Sequence, residues 1–137
     1  MKTLELWSAS ADAGVRYFSG TATYTCTLQA PPQWFSRRAS FWLDLGEVAN
    51  LATVTVNGQE VETLWHKPFR ANVTSTLRPG ENRIVLRVTN MCINRLVGDR
   101  QPDTRTRYTF TTWPAYGKET PLPPSGLLGP VVIVRQD

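Results

Sequence analysis

Eleven carboxylates, one histidine and two cysteines make up the acid–base, nucleophilic and metal-ligating inventory of this 137-residue chain. Hydrolysis between two carboxyl groups requires them to face each other across the scissile bond, roughly 5–9.5 Å apart. Two pairs lie close in sequence: Asp44 with Glu47 at the end of an alternating segment, and Asp99 with Asp103 in an arginine-rich stretch. Neither spacing implies convergence on a cleft, and the neighbouring arginines would keep Asp99 and Asp103 ionised. His66, followed by Lys67-Pro68, is a poor start for a Ser–His–Asp triad. One histidine and two cysteines also exclude metal sites built from several such ligands. No catalytic residue, no metal ligand and no cofactor are therefore expected, with calcium left open.

The basic residues suggest a different role. Twelve of the fifteen are arginine, against eleven acidic residues, for a net charge of +4. Arg95, Arg100, Arg105 and Arg107 interleave with Asp99 and Asp103, four positive charges against two negative. Local Arg–Asp pairs holding a loop are expected there. A nucleic-acid binder would show a continuous basic stripe, so no nucleic-acid partner is expected. Cys26, in the alternating run Thr21–Leu28 (TATYTCTL), and Cys92 are read as buried thiols, with their pairing left open. No run of about 18 apolar residues could span a membrane, so no membrane partner is expected. The first ten residues (MKTLELWSAS) lack the apolar core of a signal peptide.

The elements that must position these side chains are strands. Helical signals are almost absent: no window of eleven or more residues carries helical apolar spacing free of proline or glycine. After a short start at Leu4–Ser8, alternation marks Tyr17–Leu28, Phe41–Leu45, Ala52–Val56, Val61–Trp65, Arg70–Leu77, Asn82–Asn90, Tyr108–Thr112 and Val131–Arg135 as strands. Asn57-Gly58 between two of them predicts a hairpin whose central residues take positive φ. Arg78-Pro79-Gly80-Glu81 predicts a second turn, with proline setting its first corner and glycine its second. Five prolines and three glycines across Pro114–Pro130 predict an ordered surface loop. With 41% hydrophobic and 19% charged residues, residues 1–137 read as a single globular domain, an all-β antiparallel sandwich.

In this order, the segments YFSGTATY (Tyr17–Tyr24), FWLDLG (Phe41–Gly46), ATVTVNG (Ala52–Gly58), LWHKPF (Leu64–Phe69) and RPGENRIVLRVTN (Arg78–Asn90) resemble the galactose-binding-like jelly roll of glycoside hydrolase family 2 and its relatives. The later segments NRLVGD (Asn94–Asp99), YTFTTWP (Tyr108–Pro114) and PLPPSGLLGPVV (Pro121–Val132) resemble the closing part of α-L-rhamnosidase-type enzymes of glycoside hydrolase family 106. There the jelly roll follows a separate catalytic barrel. The resemblance implies a non-catalytic accessory domain whose partners are a carbohydrate and the catalytic domain of a parent enzyme; the agreement of strands and turns leads us to expect that it folds by itself as a monomer. It also implies an extracellular or periplasmic parent acting on plant or microbial polysaccharide.

Sugar binding would draw on a particular set of side chains. An aromatic ring stacks on the C–H face of a sugar, while charged and amide groups bond to its hydroxyl rim. Trp7 and Trp42 fall within strands and are read as packing residues. Trp34 in the loop PPQWFSRR, Trp65 and His66 at a strand end, and Trp113 with Tyr116 beside the proline-rich loop are candidates for exposure. Arg95 and Asp99 complete the candidate set as polar groups. The alternative is a scaffold domain that docks against the catalytic barrel and has no glycan affinity.

Overall fold

A computed structural model describes residues 4–137. Among these residues, nine strands run β1 (Thr21–Ala30), β2 (Ser40–Asp44), β3 (Glu47–Ala49), β4 (Leu51–Val56), β5 (Gln59–Leu64), β6 (Arg70–Asn72), β7 (Gly80–Thr89), β8 (Gly126–Gly129) and β9 (Val132–Gln136). They form a four-stranded sheet in the order β1-β7-β4-β5, a three-stranded sheet β6-β2-β9 and a two-stranded sheet β3-β8. All the strand pairings are antiparallel. The expected antiparallel sandwich is the architecture found.

Alternation decides what lies between the sheets. Ala52, Val54 and Val56 of β4 and Ile84, Leu86 and Val88 of β7 turn one way; Phe41 and Leu43 of β2, with Leu45 beyond it, face them, and all nine are buried in one cluster. The opposite face of the large sheet carries threonine and arginine, as in the cross-strand row Thr23, Arg87 and Thr53. Period-two side-chain direction thus makes one face of each strand core and the other surface.

The two expected turns are present and are bolted together. Asn57 (φ 52°) and Gly58 (φ 84°) close the β4–β5 hairpin, and Gly80 (φ 85°) opens β7. Asn57 donates to Thr76 O and to Asn82 Oδ1, both at 2.8 Å. Fully buried Asn82 accepts from the Arg78 amide at 2.9 Å and donates to Arg78 O and Gly80 O at 2.7 and 2.9 Å. Asn82→Ala would strand several of these buried groups, so we expect a loss of about 3 kcal/mol in urea unfolding. A change below about 1 kcal/mol, the net worth of one hydrogen bond, would show that the turns hold without the bolt.

Several expectations are corrected. Helix α1 (Ala13–Arg16) precedes the strand expected from Tyr17, which begins only at Thr21; the helix is capped by Asp12, whose Oδ1 accepts from the Gly14 and Val15 amides at 2.7 and 3.3 Å. Helix α2 (Ile93–Gly98) is likewise too short for an eleven-residue periodicity to reveal. The start at Leu4–Ser8 is a 3₁₀ turn over Trp7–Ala9, and Tyr108–Thr112 is not a strand. Within the proline-rich loop, Gly126–Gly129 pairs as β8. Both cysteines are free and exposed, not buried. Cys26 faces the expected way but lies on β1, an edge strand with only β7 beside it, where cover runs out.

Candidate functional site

One hollow with aromatic walls lies where the chain crosses from one sheet to the other. Leu64, the last residue of β5, turns into the core, so the next side chain, Trp65, leaves the sheet edge outward and is 71% exposed. Five residues later the chain enters β6 in the opposite sheet. On β2, Phe41 and Leu43 point inward, which directs Trp42 outward between its register partners Asn72 and Val134. Trp42 and Trp65 thereby line one cavity of about 310 Å³ with Glu62, His66, Arg70 and Gln136. The Trp65 and His66 rings meet edge to face at 4.7 Å, and His66 Nδ1 lies 2.9 Å from Lys67 O.

Two rings with acidic, basic and amide groups at the rim match the two faces a sugar offers. Arg70 is held by its Nε donating to Asp44 Oδ2 at 2.7 Å, leaving the outer guanidinium nitrogens for a ligand. Asp44 also accepts from the Gly46 amide at 2.8 Å; that bond and Arg70 hold its carboxyl below the usual range. Glu47, hydrogen-bonded by Lys67 Nζ at 2.7 Å, is shifted down as well.

Asp99 sits elsewhere and is occupied. It is buried at the end of α2, where Oδ1 accepts from Arg95 Nε at 2.9 Å. Its Oδ2 accepts from the Tyr108 amide at 2.9 Å, the Thr109 amide at 2.7 Å and the Thr109 hydroxyl at 2.6 Å. Burial pushes this carboxyl up, but the Thr109 and Tyr108 hydrogen bonds and the Arg95 charge outweigh it, and the net shift is downward. Arg95 packs its guanidinium over the Tyr108 ring, 5.2 Å from the centroid. The expected loop-holding Arg–Asp pair is therefore real at Arg95–Asp99, and Asp103 forms no ion pair among the described residues.

The seven sequence candidates thus separate. Trp65 and His66 share the first cavity, while Asp99 and Tyr116 border a second one beside α2. Trp113 is 76% exposed but lines neither. Trp34 is half-buried and packed against the core. Sequence reasoning missed Trp42, Glu62, Arg70 and Gln136 as cavity residues. The alternation FWLDL did carry Trp42, because it sends Trp42 to the face opposite Phe41 and Leu43.

The sequence pattern of the family described as glycosyl hydrolase 2 galactose-binding domain-like matches residues 8–119. This chain belongs to that family. The domain superposes on a rhamnosidase from Novosphingobium sp. PP1Y with a TM-score of 0.89 and 43% identity, covering 95% of the domain and 12% of that enzyme. It is 39% identical over 95% of its length to the "Putative beta-glucuronidase" of Formosa agariphila, of which it spans 13%. A Ruminococcus gnavus beta-glucuronidase matches 61% of the domain, at 25% identity and a TM-score of 0.54, with 14% of that chain covered. The domain thus corresponds to about an eighth of the larger proteins that it most resembles here. Its match to a rhamnosidase agrees with the resemblance carried by the C-terminal segments.

Proposed function

We propose that this domain is a non-catalytic, carbohydrate-binding part of a larger rhamnosidase-like glycoside hydrolase, and that it binds polysaccharide through the Trp42–Trp65 cavity. The observation that carries the reading is the pairing of an exposed ring with an outward-facing ring, rimmed by Glu62, His66, Arg70 and Gln136. Tethered next to a catalytic domain, even weak affinity would raise the local concentration of substrate chain. The non-catalytic part is supported by the acidic residues. Asp44 is held down in pKa by the Gly46 amide and Arg70, and Glu47 by Lys67, whereas a glycosidase proton donor needs its pKa raised. A polysaccharide ligand in turn fits a parent that works outside the cytoplasm.

Affinity electrophoresis of the 137-residue chain through gels containing neutral plant and microbial polysaccharides tests the reading. We expect retardation in at least one gel, with Kd between about 1 μM and 1 mM, or roughly −8 to −4 kcal/mol. Aryl rhamnosides incubated alongside should release product at the background rate. Turnover abolished by Asp44→Asn would overturn the non-catalytic part. Free migration through every gel would overturn the binding part and leave a domain that only docks.

A further inference from the structure

The arginines of α2 and the segment after it do not behave as their alternation with aspartate suggests. Arg95 takes Asp99, and the remaining lone pairs of Asp99 are used by Tyr108 and Thr109. Arg100 and Arg107 are exposed and enter no ion pair among the described residues. Both line one hollow of about 240 Å³, together with Phe110 and Tyr116. Asp99 borders the same hollow, but its charge is already met by Arg95 and three further donors. The field inside is therefore that of two uncompensated guanidinium groups.

We propose that this hollow is a second binding site, one that takes the carboxylate or sulfate ester of an acidic glycan. The chemistry is specific. A guanidinium fork gives two parallel hydrogen bonds to a planar carboxylate or to a sulfate edge, as an ammonium cannot. Phe110, 89% exposed, and half-buried Tyr116 supply ring faces for the sugar that carries the anion. The site is also held ready. Because Asp99 pins the Tyr108 and Thr109 amides, the backbone between Arg107 and Phe110 is fixed in advance, and binding loses less freedom than on a loose loop. The hollow shares no lining residue with the Trp42–Trp65 cavity, so it can bind independently of the proposed neutral-sugar site.

The test uses gels at fixed ionic strength containing polygalacturonate (carboxylate), carrageenan (sulfate), neutral galactan or single-stranded DNA. We expect retardation in at least one acidic gel, and the arm that retards the chain identifies the anion. Arg100→Ala with Arg107→Ala should weaken that retention by at least about tenfold, and Phe110→Ala should also weaken it. Arg37→Ala with Arg38→Ala removes the same charge from the exposed loop before β2 and should leave retention unchanged. Trp65→Ala should leave it unchanged too, which separates failure here from failure of the first cavity. Equal weakening by the two double-arginine variants would overturn the site in favour of bulk charge. Retention on DNA matching that on the acidic glycans would overturn the glycan class. Free migration in both acidic gels would overturn the proposal outright.

Discussion

Asp99→Ala is expected to destabilise the domain by about 3 kcal/mol, although the residue lies beyond the main sandwich core. The carboxylate is 3% exposed and accepts four hydrogen bonds from three residues. Removing it leaves two backbone amides and a hydroxyl without their acceptor, and a partly buried guanidinium without its counter-charge. Its partner Arg95 keeps 21% of its side chain in solvent, which holds the estimate at the low end for a broken buried pair. The sign of the pH dependence follows from the downward shift. A carboxyl whose folded pKa lies below its unfolded value near 3.9 contributes stability that is complete above that value. The contribution disappears as pH falls through the folded pKa. The gap in melting temperature between wild type and Asp99→Ala should therefore be wide at pH 7 and shrink below about pH 4. Asp44 and Glu47 titrate in both proteins and cancel from the comparison. In native-state hydrogen exchange, the Tyr108 and Thr109 amides should lose protection in the variant. Equal melting temperatures at pH 7, or a gap that persists undiminished to pH 3, would refute this account.

Asp99 also shows where sequence stops being informative. The alternation of Tyr108–Thr112 is that of a strand, but the amides of Tyr108 and Thr109 donate to a side chain and not to a neighbouring strand. Periodicity describes which way side chains point; it does not say which acceptor a backbone amide will find. The strands that form the sandwich were legible because alternation and burial coincide, as with Phe41 and Leu43 or Ala52, Val54 and Val56. Asn57-Gly58 was legible because few residues tolerate two successive positive φ values, and both are observed there. Helices α1 and α2 were not, since helices of four and six residues carry less than two turns of pattern. Such helices depend on a cap or on tertiary contact, here Asp12 for the first and the close approach of Gly98 to Tyr17 for the second.

The same limit divides the candidate residues. Trp65 was identifiable as a strand-end ring, and its exposure follows from the inward turn of Leu64. From the sequence Trp42 reads as a packing residue, because a tryptophan in a strand usually faces a core, yet on β2 the covered face belongs to Phe41 and Leu43. Residence in a strand fixes the alternation and leaves open whether both faces are covered. Trp34 shows the converse. Proline and arginine flank it in a loop, but tertiary packing brings it against the core, beside the Phe35–Phe41 ring pair at 4.9 Å.

Those contrasting environments make the tryptophans a four-way test, and the largest binding effect should come from Trp65→Ala. The ring is 71% exposed, so the fold loses little when it is removed, and the melting temperature should stay within a few degrees of wild type. On the proposed binding mode, the loss of this stacking face should cost about 2 kcal/mol of affinity, roughly 30-fold in Kd. Trp42→Ala should show both effects, since that ring is half-buried between β6 and β9 and also lines the cavity. Trp34→Ala should lower the melting temperature and leave the Kd of the folded fraction unchanged, because its ring packs against the core and not into the cavity. Trp113→Ala should move neither quantity. Calorimetric titration with the polysaccharide fragment that retards the domain, paired with thermal melts, measures both axes for each variant. Were Trp113→Ala to abolish binding while Trp65→Ala bound normally, the ligand would sit on the proline-rich loop and the Trp42–Trp65 cavity would lose its assignment. A reversal between Trp65 and Trp34, with Trp65→Ala melting early and binding fully, would make Trp65 a packing residue and remove the ring on which the proposed stacking depends.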